Sequence, residues 1–143
     1  MAAAFAEEFT DRVELSPSDF WAKCKASATL PETAAPSVGA FEETFRRVAA
    51  EGADGIVCVN LSSRLSATMQ SAQLAAKALE GEIEIAVVDS LSASMGEGNL
   101  AVVGARTAAG GASVAEVVAA ARAHALATGR RVSYEVTLIG GVN

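Results

Sequence analysis

The chain has 143 residues, 51% of them hydrophobic and 20% charged, enough apolar material for one sizeable core and too little polarity for disorder. Its formal net charge of -6 and its isoelectric point near 4.8 repel phosphate backbones, which excludes nucleic acid as an expected partner. The first residues, Met1 to Glu8, lack the basic start and apolar run of a secretory signal, and no apolar run reaches the roughly 18 residues a membrane span needs. Cys24 and Cys58 are the only cysteines and show no metal or redox spacing. A reduced, cytoplasmic protein is expected.

In chain order, Ser16-Pro17 places a cap before a proline at the first helical position, and Phe20, Trp21 and Cys24 give the helix an apolar face to about Ala26 or Ser27. Residues 29–36, TLPETAAP, read as a loop, because Pro31 and Pro36 push their predecessors out of helical geometry. Phe41, Phe45 and Val48 recur at helical spacing, which predicts a helix from about Val38 to Glu51 with Gly52 as its stop. Ile56 to Asn60 is a short apolar run suited to a strand covered on both faces.

A hydroxyl-rich stretch, Ser62 to Ser66, leads into a helix ending near Leu79. Ile83 to Val88 is a second buried strand. An alanine- and glycine-rich helix follows from about Met95 to Ala109, with a composition that lets its backbone approach a neighbour closely. Ser113 to Glu116 is a capping box opening a helix that lasts until Gly129. Alternation at Val132, Tyr134 and Val136 predicts a third strand. Strands alternating with helices predict a single α/β domain over residues 1–143, with a mostly parallel sheet flanked by helices.

The segment from Asn60 to Thr68 is the richest in candidate chemistry. In open α/β sheets ligands bind at the carboxyl ends of strands. A helix start offers unpaired N–H groups and a partial positive charge. Ser62, Ser63, Ser66 and Thr68 add hydroxyl donors there, a set that suits a carboxylate or a phosphate, although the same hydroxyls also serve to cap a helix and shape a turn. Gly96 to Ala101 matches a relaxed dinucleotide fingerprint but does not follow its strand directly, and no phosphate loop with its lysine occurs. No clustered spacing of His, Cys, Asp and Glu suggests a metal site, so no metal or cofactor is expected. A small serine hydrolase using Ser63 or Ser66 would need His124, the one histidine, as its base.

Residues 61–72, LSSRLSATMQSA, resemble the signature of the DegV family, in which two serines, a basic residue, Leu and Ser-Gly-Thr precede a helix. Three further stretches fit in order. Residues 14–20, ELSPSDF, look like the family's early helix start. Residues 33–37, TAAPS, are similar to its Thr-Ser-Gln-Pro-Ser motif. Asp89-Ser90 with Ser94-Met95-Gly96-Glu97-Gly98 resembles its Asp-Ser and Ser-Met-Gly-x-Gly segment. Ala34, Ala35 and Ala67 depart from the pattern, and the strand with which the family usually opens has no counterpart before Phe5.

The resemblance implies a protein that is not an enzyme and that holds a long-chain fatty acid, with the acyl chain in an apolar tunnel. In such proteins the carboxylate is presented to a separate fatty acid kinase. On the family's motif, the carboxylate contacts fall on Thr33 and on Ser63 or Ser66. The resemblance also implies that the second, lid-forming domain of the family is missing, so a truncated member is expected. A non-binding fragment or interaction module remains the alternative beside the hydrolase.

Overall fold

A computed structural model describes residues 2–4, 8–10 and 13–128. The predicted strand near Val132–Val136 lies outside them. The described residues form five helices and five strands in the order β1 (Ala2–Ala4), β2 (Glu8–Thr10), α1 (Pro17–Ala26), β3 (Glu32–Ala34), α2 (Val38–Ala50), β4 (Gly55–Asn60), α3 (Thr68–Ala78), β5 (Glu84–Asp89), α4 (Met95–Ala109) and α5 (Val114–Thr128).

The parallel pair expected from the two apolar runs is present. β4 and β5 align with Ile56 opposite Ile85 and Asn60 opposite Asp89, joined through α3. Period-two alternation sends their side chains to opposite faces. Ile56, Cys58, Ile85 and Val87 pack against Phe45 of α2 and Ala72, Ala75 and Leu79 of α3 and its end. Val57 and Val59 face α4 and α5. Helices therefore cover both faces, which is why these strands read as continuous apolar runs.

A second sheet lies in the N-terminal part of the chain: β3 falls within residues 29–36, read as a loop, and β1 lies before Phe5, where the sequence reading found no strand. β1 is its central strand, antiparallel to β2 and to β3, with Ala3 opposite Phe9 and Thr33. These strands have three residues each. Alanine, glutamate and threonine over three positions carry no readable period, and the backbone ladder forms them without a strong side-chain pattern.

Ser16 caps α1 by accepting from the Asp19 N–H at 3.2 Å, and Ser37 caps α2 through the Ala40 N–H at 3.2 Å. In α5 the Ser113 N–H donates to Glu116 Oε2 at 2.8 Å and the Glu116 N–H returns to Ser113 Oγ at 3.4 Å, the predicted capping box. The close approach foreseen for α4 is made at Gly104, where a Cβ would stand 3.4 Å from Val117 Cγ1 of α5. A Cβ on Gly55 would meet Val114 Cγ2 at 2.5 Å, so glycine there is what lets α5 lie against the start of β4. Among the described residues no helix is long and apolar enough to cross a membrane.

Candidate functional site

The loops leaving the carboxyl ends of β4 and β5 are bound to one another. The Ser62 N–H donates to the Ser92 carbonyl at 2.7 Å, and the Ser90 N–H to the Asn60 carbonyl at 3.0 Å. Asp89, the last residue of β5, clasps Ser63 twice: its carboxylate accepts from the Ser63 N–H at 3.2 Å and from Ser63 Oγ at 2.6 Å. It also accepts from the Leu91 N–H at 2.9 Å. Partial desolvation pushes the Asp89 carboxyl up. The bonds from Ser63 and Leu91, with the nearby Arg64 charge, outweigh it and hold the group below its ordinary range.

The predicted site residues fall in two places. Ser63 and Ser66 share the loop between β4 and α3. Ser63 is exposed and its one hydroxyl proton is already given to Asp89. Ser66 is half-buried; its Oγ accepts from the Thr68 N–H at 3.2 Å and lies 2.8 Å from Thr68 Oγ1. Thr33 stands exposed on β3, which among the described strands and helices packs on β1 alone. No hydrogen bond joins Thr33 to either serine among the described residues.

Several polar residues of the site were not singled out by sequence. Asp89 belonged to a quoted family segment but gave no sign that it would clasp Ser63 from 26 positions away. Asn60 and Ser92 are buried. Asn60 donates through Nδ2 to the Cys58 carbonyl at 3.2 Å, whereas Ser92 Oγ has no hydrogen-bond partner among the described residues. Glu97, in the first turn of α4, is half-buried; burial pushes its carboxyl up, against a bond from the Leu61 N–H. Burial likewise raises the Cys58 thiol, with Asn60 opposing and the Glu97 charge adding to it, so Cys58 is no ready nucleophile.

The two helices that begin at these loops differ from the other three. α3 and α4 start at Ala67 and Ser94 with no side-chain cap, and Ser94 sits at φ 54°, a left-handed conformation uncommon outside glycine. In their first turns the Thr68 N–H donates to Ser66 Oγ at 3.2 Å, the Gln70 N–H to the Ala67 carbonyl at 3.0 Å and the Gly96 N–H to the Ala93 carbonyl at 3.1 Å, so only part of each helix start is open to another acceptor. Exposed Leu65, Leu91 and Met95 surround the same loops.

Between β4 and the pair α4 and α5 runs a cleft of about 600 Å³, within the range of small-molecule sites. Val57, Val59, Val114 and Val117 form its apolar wall, and Ala101, Gly104, Ala105 and Ala108 make the α4 side shallow. α4 starts at the serine loops and runs along this cleft. Asp54, Glu84 and Ser113 add polar lining where β4 and β5 begin, and no residue of the two serine loops lines the cleft.

Acid–base chemistry is poorly served. A carboxylate held below its usual range, as Asp89 is, makes a weak base for Ser63.

A family model described as "Uncharacterised protein, DegV family" matches residues 5–132. A DegV domain-containing protein of Halalkalibacterium halodurans is 44% identical over 91 residues, 63% of this chain and 32% of that protein. One from Streptomyces coelicolor is 42% identical over 96 residues, 67% of this chain and 34% of that protein. Among solved structures, a DegV family protein from Thermus thermophilus described by its fatty acid binding superposes with a TM-score of 0.77 at 29% identity, over 87% of this chain and 44% of that one. A DegV lipid binding protein from Thermotoga maritima gives 0.76 at 28% identity, over 89% and 45%. This chain thus spans 32–34% of those two curated relatives and 44–45% of the two solved chains. With a match over most of its length and a shared fold, the chain belongs to the DegV family.

Proposed function

We propose that this protein binds a long-chain fatty acid, with the acyl chain along the cleft between β4 and helices α4 and α5 and the carboxylate at the loops after β4 and β5. The cleft of about 600 Å³ carries the reading, because its valine and small-residue walls leave room for an apolar tail on the sheet face of β4, the strand that leads past Val59 into the hydroxyl-rich loop. The fatty acid binding described for the Thermus thermophilus relative supports it.

In this reading Ser66, Ser63 and Thr33 hold the headgroup. Ser66 is the leading donor, since the Ser63 proton is committed to Asp89. Thr33, on β3, is the further contact that the family motif implies. Charge-assisted bonds favour a carboxylate over a neutral ligand. The protein acts as a carrier rather than an enzyme, in a reducing, cytoplasmic setting that suits its free Cys24 and Cys58. It presents the carboxylate to a separate fatty acid kinase, and the exposed Leu65, Leu91 and Met95 around the headgroup loops supply apolar surface for a covering partner.

Mass spectrometry of the purified protein, with titration of hexadecanoic acid, tests the binding. A co-purifying fatty acid and saturable binding are expected. No bound acid and no saturation would overturn the reading.

A further inference from the structure

Ser92 lies in the short loop between β5 and α4, 9% exposed. Its backbone is fully engaged. The N–H donates to Ser90 Oγ at 3.1 Å, and the carbonyl accepts from the Ser62 N–H at 2.7 Å and from Ser90 Oγ at 3.2 Å. Its own Oγ is the one described side-chain atom that is buried, polar and without a partner. The residues on either side make this more than a local defect. Leu91 and Ser94, at φ 51° and φ 54°, are the two described non-glycine residues in the left-handed region. The chain thus holds an unsatisfied hydroxyl in a strained loop, directly across a backbone hydrogen bond from the segment that carries Ser63 and Ser66. Strain and orphaned polar groups persist where another interaction compensates them.

We propose that Ser92 is a headgroup residue, its hydroxyl donating to an oxygen of the ligand carboxylate alongside the uncapped start of α4. The inference rests on the fatty-acid reading and adds to it a donor from the second loop, so that the carboxylate is gripped from both strand ends. Serine fits the role because its hydroxyl rotates to suit an incoming acceptor. The loop adjusts to admit the headgroup, and relief of the orphaned hydroxyl contributes to binding. A residue kept only for folding would behave in the opposite way, because replacing an unsatisfied buried hydroxyl with a methyl group removes a desolvation penalty.

The two roles separate cleanly in Ser92→Ala. Without added ligand the variant should melt higher than the parent, by about 2–8 °C for a gain on the order of one hydroxyl's penalty. Its affinity for hexadecanoic acid should fall about tenfold or more, the worth of one bond to a charged acceptor. Methyl hexadecanoate, which lacks the charge, should be much less affected. A variant that melts lower would mean that Oγ supports the fold, through a buried water for example, and would overturn the proposal. Unchanged hexadecanoate affinity would overturn it too. If the parent itself fails to bind hexadecanoate, the fatty-acid reading fails first. A parent that binds while Ser92→Ala binds equally well isolates the failure to Ser92.

Discussion

The two faces of the β4–β5 sheet are built from the same strands and end in different uses. On one face Ile56, Cys58, Ile85 and Val87 meet Phe45 at 3% exposure and Ala72, Ala75 and Leu79 at 0%, with Phe41 packed behind them. On the other, Val57 and Val59 meet the alanines and Gly104 of α4, and a cleft of about 600 Å³ remains. The strand residues are apolar on both sides, so the difference comes from the helices. α2 brings Phe41 and Phe45 and the C-cap of α3 brings Leu79, whereas α4 brings alanines and Gly104 to the cleft. A gap that no side chain fills loses dispersion contacts on its lining. One face therefore stabilises the domain, and the other gives up packing for room.

Breaking the packed face should have the largest effect. Leu79→Ala empties a site with no room to relax and should cost about 2–5 kcal/mol, read as a lower urea midpoint with unchanged slope. A loss under about 1 kcal/mol would mean that this face is not the core.

At the proposed headgroup site, Ser66→Ala and Thr33→Val should each weaken hexadecanoate binding roughly ten- to a hundredfold, from about 1.5–3 kcal/mol per bond to a charged group. Stability should change little, since Thr33 is exposed and Ser66 half-buried. Two variants that bind like the parent would remove both residues from the headgroup site.

Filling the cleft sharpens the contrast further. Ala105→Leu adds bulk where the side chain is exposed to the cleft. Displacing two methylenes of an acyl chain costs about 1.6 kcal/mol, so hexadecanoate should bind roughly tenfold more weakly. Thermal stability should hold within about 0.5 kcal/mol. Equal loss of binding for short and long acids would argue that the chain lies elsewhere.

The smallest effect concerns the Asp89 clasp. Its folded pKa is below the ordinary 3.8, so its stabilisation is present above that value and is lost as pH falls through the folded value. Melting curves of the parent should show this loss below pH 3.8. Asp89→Asn should flatten that limb; an unchanged acid limb would mean that the clasp carries no linkage.

Much of the helical half was legible from local chemistry. Ser16-Pro17 placed the start of α1 at the observed residue, and the Ser113 to Glu116 box placed that of α5. The apolar runs located β4 and β5 within a residue or so, because strands covered on both faces show no polar interruption. The three short strands did not show, since β1 is three alanines whose pairing is decided by partners up to 32 positions away, as for Ala2 with Ala34. At the site, the hydroxyl-rich loop was visible as composition. The division of labour within it was not: nothing local distinguishes Ser63, tied to Asp89, from Ser66, bonded within its own turn.

By itself, then, the amino-acid order determined what depends on neighbours within a few positions: helix starts, buried strands, a serine loop placed after a strand and a motif pattern specific enough to resemble one family. Tertiary structure alone decided what depends on residues meeting across the fold. It set Asp89 against Ser63, left Ser92 Oγ without a partner among the described residues, and laid the small-residue face of α4 over Val57 and Val59. Caps and periods are satisfied inside one turn or one strand, whereas a clasp, an orphaned hydroxyl and a cleft each exist only once two distant segments have been packed together.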